Sequence, residues 1–373
     1  MFAYVLYNTP RKDFNLLHWG HFDAPDAYFA LKVGNQTMAF VSELEYDRCR
    51  AVGTFDEVYV WLDIRKELQQ RFDEGTFWQK FFRFLKEKYA VDRFMVPDDF
   101  PASIYAEVSS CVPMAFDASF FEQQRAIKSD AEISEIRKAC ALTAAVLRDA
   151  TRIVRDSTVG REGVLYFENK PLTSERLRAM MEIYCLERGG IADGTIVACG
   201  KDGAYPHCVG NGALRAGELM VIDVFPYLKA SHFYGDMTRT ILKGRATSEQ
   251  KKIYDAVLDC QTALLEQLRP GILTSDLQTF ALRFFEDRGY GLKRTENGIE
   301  GFTHNVGHGI GLDIHEYPSV GSKPIALKPG MVITIEPGLY FPSVGGVRIE
   351  DDVLMTEDGC EILTSCDKVL ELP

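Results

Sequence analysis

Short apolar runs separated by turn residues fill the first third of the chain. Runs rich in β-branched and aromatic residues predict strands. The predicted strands are Ala27–Val33, Thr37–Val41, Glu57–Leu62 and Arg93–Val96. The segment FWQKFFRFLKEKY repeats its apolar residues at helical spacing instead, and it predicts a helix over Phe77–Tyr89. This mixture of strands and helix indicates an α/β domain.

A longer amphipathic pattern begins near Ala126, in AIKSDAEISEIRKACALTAAVLRDATRIV. Its apolar residues recur every three or four positions, which is the spacing of one helix face. Ser129 followed by Glu132 fits a capping box at the start of this helix. A long helix after a domain of mixed strands indicates a domain boundary. We therefore expect two domains, at residues 1–125 and 126–373.

The second domain contains a faint internal repeat. One copy, LTSERLRAMMEIYCLERGG, begins at Leu172, and the other, LTSDLQTFALRFFEDRGYG, begins at Leu273. Each copy opens with Thr and Ser, which can cap a helix, and each helix is closed by a glycine, Gly189 or Gly289. So short a match also arises by chance, but the shared order of helix start, helix stop and strands favours two related halves about a pseudo-twofold axis.

Composition and charge narrow the classes of function. A net charge of -12 disfavours nucleic acid or an anionic membrane as a partner, because both bind basic patches. The start, MFAYVLYNTPRKDF, lacks the regions of a signal peptide, and no apolar run reaches the roughly 18 residues of a membrane span. Nine cysteines without CxxC spacing indicate free thiols in a reducing compartment. We therefore expect a cytoplasmic protein.

Four acidic residues stand in strongly β-like segments of the second domain. The segments are GELMVIDVFP, HFYGDMTRTIL, MVITIEPGLYF and GGVRIEDDVLM, and their acids are Asp223, Asp236, Glu336 and Glu350. A carboxylate buried alone is very costly, so each must be hydrated, paired or bound to a cation. One such acid alone is typical of a solvated strand end, whereas four beside a histidine cluster predict a divalent metal site. Carboxylates with imidazole suit Mn²⁺, Co²⁺, Fe²⁺ or Zn²⁺, and two ions sharing bridging carboxylates balance four acids better than one.

The histidine cluster lies in THNVGHGIGLDIHEYP, which contains His304, His308 and His315. A pair of histidines four residues apart suits a helix, but Gly307 and Gly309 interrupt the segment. Each glycine costs a helix interior about 1 kcal/mol. The segment therefore predicts a strand and loop that bring the backbone close to metal and substrate.

The segment PYLKAS, between Asp223 and Asp236, predicts a hairpin loop. We expect the two aspartates to lie on the two strands of an antiparallel hairpin. Both side chains can face one site only if the strand register places them on the same face of the sheet. Because side chains alternate between faces, adding or removing two loop residues preserves this arrangement.

The segments quoted above resemble those of a known protein family. GELMVIDVFP…YGDMTRT, HNVGHGIGLDIHE, ITIEPGLY and GGVRIEDDVLMTEDG are similar to the metal-binding segments of the pita-bread metallopeptidases. These include methionine aminopeptidases, Xaa-Pro aminopeptidases and prolidase. The resemblance runs from about Ala126 to the end and implies an α+β pita-bread fold with pseudo-twofold halves. The first domain resembles, more weakly, the smaller α/β creatinase-type domain.

The resemblance implies five ligands for two divalent ions, for which Mn²⁺ is the first choice. Asp223 would be a terminal ligand to one ion, and His308 and Glu336 would bind the other. Asp236 and Glu350 would bridge the two.

The resemblance also implies residues that act on the substrate. His207, in YPHCVGN, and His315 would contact the scissile carbonyl or stabilise the tetrahedral intermediate. Arg348 would position ligands and substrate, and His304 would line the pocket. Glu336 would additionally carry a proton from the attacking water to the leaving nitrogen.

The same resemblance leaves a choice of substrate. The additional N-terminal domain, Ile314 before His315 and the RIEDD run with Arg348 favour a proline-directed peptidase over a methionine aminopeptidase. Among the proline-directed members we expect an aminopeptidase P-like enzyme, a homodimer that cleaves peptides with proline at the second position. The alternatives are prolidase, methionine aminopeptidase, a metal-free creatinase-like hydrolase and a peptide-binding module without catalysis. The last two are expected to lack metal ligands. Two departures from the family are a spacing between the two aspartates that is two residues longer than usual, and Asn305 in place of the usual glycine.

Overall fold

The chain divides into two units, Met1–Arg125 and Ala126–Pro373, in the computed structural model, which describes residues 1–296 and 298–373. The first unit is built on a six-stranded mixed sheet in the order β4-β3-β2-β1-β5-β6. Its strands are β1 Phe2–Asn8, β2 Tyr28–Val33, β3 Gln36–Val41, β4 Glu57–Val60, β5 Arg93–Val96 and β6 Met114–Phe116. Its helices are α1 Phe14–Gly20, α2 Tyr46–Val52, α3 Trp61–Arg71, α4 Phe77–Lys88, α5 Ala102–Val108 and α6 Ala118–Gln123.

The predicted elements of this unit are found, with one boundary error. The strand expected over Glu57–Leu62 ends at Val60, because Trp61 begins helix α3. The run EVYVWL reads as a continuous strand, yet Trp61, Ile64 and Leu68 have helical spacing and are the buried residues of α3. The other elements of this unit were not predicted from the sequence, namely strands β1 and β6 and helices α1, α2, α3, α5 and α6.

Helix α4 shows why its segment is helical. Thr76 and Gln79 form a reciprocal capping box at its start. Its buried face carries Phe81, whose ring lies 4.9 Å from that of Phe29 and 5.0 Å from that of Phe40, both on the sheet. Aromatic packing of α4 on β2 and β3 thus forms the centre of this unit's core.

Within its described residues, the second unit has four α-helices and two larger sheets. The helices are α7 Asp130–Asp156, α8 Ser174–Glu187, α9 Ser248–Gln267 and α10 Thr274–Asp287. The strands before α9 are β7 Thr158–Val159, β8 Leu165–Phe167, β9 Lys170–Pro171, β10 Gly190–Ile191, β11 Ile196–Cys199, β12 Met220–Val224, β13 Tyr227–Leu228 and β14 Met237–Lys243. The strands after α10 are β15 Lys293–Thr295, β16 Gly298–Glu300, β17 Gly307–Gly309, β18 Glu316–Val320, β19 Val332–Ile335, β20 Gly338–Phe341, β21 Gly345–Arg348, β22 Asp351–Met355, β23 Cys360–Ile362 and β24 Glu371–Leu372.

The helices and sheets of the second unit form two similar halves. Helices α7 and α8 pack with the sheet β11-β12-β14-β24, and α9 and α10 pack with the sheet β18-β17-β19-β22-β23. The first helix of each half begins at a capping box, Ser129 with Glu132 in α7 and Thr247 with Gln250 in α9. The capping box predicted for α7 is therefore confirmed.

The second helix of each half contains the repeated sequence. Both helices are followed by glycines in the left-handed region, Gly189 at φ 79° and Gly289 at φ 81°. Thr173 caps α8 as expected. The prediction that Thr or Ser caps α10 is wrong. Leu273 occupies the N-cap position, and the Thr274 hydroxyl instead donates to the carbonyl oxygen of Lys323 at 2.5 Å.

Two features concern the chain as a whole. None of the helices within residues 1–296 and 298–373 is long and apolar enough to cross a membrane. All nine cysteines belong to the described part of the chain, and each is a free thiol.

Candidate metal centre

Asp223 lies in strand β12, and Asp236 immediately precedes strand β14. The two strands pair antiparallel, with Asp223 opposite Thr238. Asp236 stands two residues before Thr238, so an even step along the strand directs it to the same face as Asp223. The segment PYLKAS lies in the connection between the two strands, as predicted, and contains the short strand β13.

The histidine segment is a strand and loop, not a helix. A Cβ atom on Gly307 would lie 2.0 Å from the carbonyl oxygen of Thr334, and one on Gly309 would lie 2.6 Å from that of Glu316. Both glycines are therefore required by the close packing of β17 between β18 and β19. The two glycines therefore bring the backbone of β17 close to the neighbouring strands.

Side chains from these strands converge on one buried point. Ligand atoms of Asp236, His308 and Glu350 all lie within 4.8 Å of one another. The Nε2 atom of His308 is 3.6 Å from Oδ2 of Asp236 and 3.5 Å from Oε1 of Glu336. Asp223 is connected to the cluster through Arg348, which donates both to its Oδ2 and to the Thr238 hydroxyl that binds Glu350.

The His308 ring presents a lone pair to the two carboxylates. Its Nδ1 atom is 3.0 Å from the carbonyl oxygen of Gly309, which can only accept, so we assign the ring hydrogen to Nδ1. Burial, followed by the neighbouring His315, lowers the pKa of His308 to about 3, so the ring is neutral. Nε2 is then an acceptor that faces the carboxyl groups of Asp236 and Glu336, which are also acceptors when they are ionised. In that state the three groups are stabilised by a cation between them.

The acids of the cluster are held in an environment that opposes their ionisation. Burial, followed by the charges of neighbouring acids, raises the pKa values of Asp236 and Glu350 well above their ordinary range. Burial raises the pKa of Glu336 to about 8. Within the described residues, the Oδ1 atoms of Asp223 and Asp236 are buried without a hydrogen-bond partner. Unpartnered carboxylate oxygens and a neutral imidazole are the donor set that fits divalent metal ions.

Arg348 orients one of the acids. Its Nη2 donates to Oδ2 of Asp223 at 2.7 Å, and its Nε donates to the Thr238 hydroxyl at 3.1 Å. That hydroxyl donates in turn to Oε2 of Glu350 at 2.6 Å. Arg348 therefore positions two of the proposed ligands, one directly and one through Thr238.

A tyrosine connects Arg348 to His304. The Tyr340 hydroxyl accepts from Nη1 of Arg348 at 2.9 Å and lies 2.8 Å from Nε2 of His304. Nδ1 of His304 is 2.8 Å from the Asn305 carbonyl oxygen, so we assign it the ring hydrogen and make Nε2 the acceptor from Tyr340. His304 thus contacts Tyr340, and it is absent from the cluster of Asp236, His308 and Glu350.

The other two predicted site histidines, His207 and His315, are exposed. The ring of His315 is 4.4 Å from that of His308 and nearly perpendicular to it. His207 follows Pro206, whose carbonyl oxygen accepts from Arg348 at 3.3 Å. Both are accessible to a substrate that approaches the acids.

Thr238 and Tyr340 are site residues that sequence reasoning missed. Thr238 stands two positions after Asp236, on the same strand face, and an alternation argument applied to DMTRT could have found it. Tyr340 lies in β20, four residues after Glu336, and its apolar surroundings in PGLYF carry no signal of a polar contact.

The class of protein that this fold and site define is a metallopeptidase. Residues 134–357 match the model of Metallopeptidase family M24, and the chain belongs to this family. The predicted membership of the pita-bread metallopeptidases is thereby confirmed.

Three relatives extend the similarity over nearly the whole chain. The Xaa-Pro dipeptidase of Pyrococcus furiosus is 32% identical over 90% of this chain and 87% of its own length. The Xaa-Pro dipeptidase of Pyrococcus horikoshii is 31% identical over 92% and 88%. The crystal structure of the prolidase from Pyrococcus horikoshii OT3 superposes with a TM-score of 0.79 at 28% identity, covering 99% of this chain and 95% of that one.

Proposed function

We propose that this metallopeptidase hydrolyses the bond between a first residue and a following proline, with two divalent ions, Mn²⁺ by preference, at the cluster described above. The observation that carries the metal centre is the position of His308, whose Nε2 faces carboxylate oxygens of Asp236 and Glu336 at 3.6 and 3.5 Å. The proline specificity rests on the relatives that are named Xaa-Pro dipeptidases.

Five residues are the proposed ligands. Asp223 would hold one ion, and His308 and Glu336 would hold the other. Asp236 and Glu350 would contribute to both. The four carboxylates carry more negative charge than Arg348 can offset, so two divalent cations suit this donor set better than one.

The remaining residues act on the substrate. Ions bound at such a centre supply Lewis acidity and lower the pKa of a water. Glu336 takes a proton from the attacking water and returns it to the proline nitrogen, which needs a proton to leave as an amine. His315 and His207 donate to the carbonyl oxygen as negative charge develops there. Arg348 fixes Asp223, and His304 shapes the pocket through Tyr340.

The names of the relatives guide our choice between dipeptides and longer peptides as substrates. The sequence features alone favour an aminopeptidase P-like reaction, with prolidase as the alternative. Relatives matched over about nine-tenths of the chain carry the name Xaa-Pro dipeptidase, and we therefore place dipeptides first. The same coverage extends into unit Met1–Arg125 and supports a creatinase-type domain there. The homodimer and the cytoplasmic location remain predictions.

Three peptides test this proposal in one comparison. We expect the protein with Mn²⁺ to hydrolyse Ala-Pro with kcat/KM at least ~10-fold above Ala-Pro-Ala, about 1.4 kcal/mol in the transition state, and to leave Met-Ala-Ser intact. A preference for Ala-Pro-Ala would support the aminopeptidase P-like reaction instead. Cleavage of Met-Ala-Ser alone would contradict proline specificity, and inertness towards all three would point to a creatinase-like hydrolase or a binding module.

A further inference from the structure

The two long helices of the second unit share a feature that the proposed reaction does not use. Helix α7 has its N-cap at Ser129 and helix α9 at Thr247. Fourteen positions after its N-cap each helix carries a fully buried polar side chain, Thr143 in α7 and Gln261 in α9. Buried polar groups are retained where they have hydrogen-bond partners, so the partners of these two are informative.

Thr143 contacts the peptide group just before Asp236. Its hydroxyl oxygen lies 3.0 Å from the carbonyl oxygen of Gly235 and 2.9 Å from that of Ala139 in its own helix. A Cβ atom on Gly235 would lie 2.6 Å from the backbone nitrogen of Cys140, so this peptide is pressed directly against α7. The hydroxyl therefore ties the backbone of a proposed ligand to a rigid helix.

Gln261 makes the corresponding contact in the other half. Its Nε2 donates to the carbonyl oxygen of Ile335 at 3.2 Å and to Oδ2 of Asp351 at 3.1 Å. Ile335 immediately precedes Glu336. Both helices thus donate to the carbonyl of the residue before a proposed metal ligand.

A second contact holds the Asp236 peptide from the opposite side. The backbone N–H of Asp236 donates to Oδ2 of Asp352 at 2.7 Å, and the Cys140 thiol of α7 lies 3.2 Å from the same oxygen. Asp236 is therefore restrained both through its own N–H and through the preceding carbonyl. Such restraint matters here because neighbouring carboxylates repel one another and would otherwise separate.

We propose that Thr143 and Gln261 are positioning residues of the metal centre, which fix Asp236 and Glu336 by holding the carbonyl group before each ligand. Neither side chain is one of the proposed metal ligands or substrate-contacting residues. The inference rests on the proposed function, since it presupposes that Asp236 and Glu336 bind metal. Groups that orient metal ligands typically contribute 10- to 100-fold to metal affinity.

The test is metal affinity, measured by calorimetry with Mn²⁺ on the full chain, together with the absorption spectrum of the Co²⁺ form. We expect Thr143→Val and Gln261→Met to weaken Mn²⁺ binding about 10- to 100-fold and to alter the Co²⁺ spectrum. Thr143→Ser keeps the hydroxyl and should restore affinity and spectrum. Thr262→Val is the matched control, because the exposed Thr262 hydroxyl donates only within its helix, to the Leu258 carbonyl at 2.8 Å.

The possible outcomes distinguish a failure of this inference from a failure of the proposed function. Variants that melt at lower temperature but keep the Mn²⁺ affinity and Co²⁺ spectrum of the parent would show a merely structural role and overturn the inference. If Thr143→Val does not fold, Gln261→Met decides the question from the other helix. A parent protein that binds neither ion would overturn the proposed function, and this inference with it.

Discussion

Asp236→Asn will abolish peptide hydrolysis and remove metal from the protein. Asp236 is almost fully buried, and its Oδ2 faces the lone pair of His308 at 3.6 Å. The amide keeps the size of the side chain and the backbone bond to Asp352 but removes the negative charge that a bridging ligand provides. We expect kcat/KM for Ala-Pro to fall by at least ~10³-fold, about 4 kcal/mol, with fewer bound ions per chain by elemental analysis.

The matched control for this variant is Asp255→Asn. Asp255 is an exposed acid on α9, outside the cluster, so its substitution should leave both activity and metal content unchanged. Full activity in Asp236→Asn would contradict the two-metal centre, and loss of activity with metal content intact would move Asp236 from metal binding to another role.

Metal-free protein will lose stability as the pH rises from 4.5 to about 8. Burial raises the pKa of Glu336 from 4.5 to about 8 in the folded chain, and it raises the pKa of Asp352 to about 7. Between these limits the folded state holds a proton that the unfolded state has released, so unfolding becomes easier as the pH increases. At 1.36 kcal/mol per pKa unit, Glu336 alone accounts for on the order of 5 kcal/mol.

Denaturant unfolding at several pH values, with chelator and with Mn²⁺, measures this effect. The metal-bound form should resist the loss, because cations between the acids favour their ionised forms. Metal-free Glu336→Gln should show a flatter pH dependence, since its side chain does not titrate. A metal-free parent that became more stable towards pH 8 would contradict the account of the buried acids.

The acids of the proposed centre were accessible to sequence reasoning because each stands in a strongly β-like segment, and the resemblance to the pita-bread metallopeptidases implied which residues bind metal. That a two-residue change in the connection keeps Asp223 and Asp236 on one face follows from the period of a strand, whereas the pairing of Asp223 with Thr238 required the structure. The glycines around His308 likewise exclude a helix on conformational grounds alone. These arguments are local and need only the period of a strand.

The missed features depend on tertiary contacts. Trp61 begins a helix inside a run with strong β-propensity, because packing against the core outweighs the local preference. Leu273 takes the N-cap that Thr274 was expected to fill, since the Thr274 hydroxyl is engaged by the distant Lys323. Tyr340 and Thr143 act through hydrogen bonds to residues remote in sequence, which no single-chain pattern reveals.

Titration of metal-free protein with Mn²⁺, followed by Ala-Pro hydrolysis at each addition, tests the central claim most directly. The claim is that Asp223, Asp236, His308, Glu336 and Glu350 form a two-metal centre that cleaves Xaa-Pro bonds. We predict no hydrolysis in chelator and a rise in activity that reaches its plateau at two ions per chain. Full hydrolysis without metal, or a plateau at one ion, would contradict it.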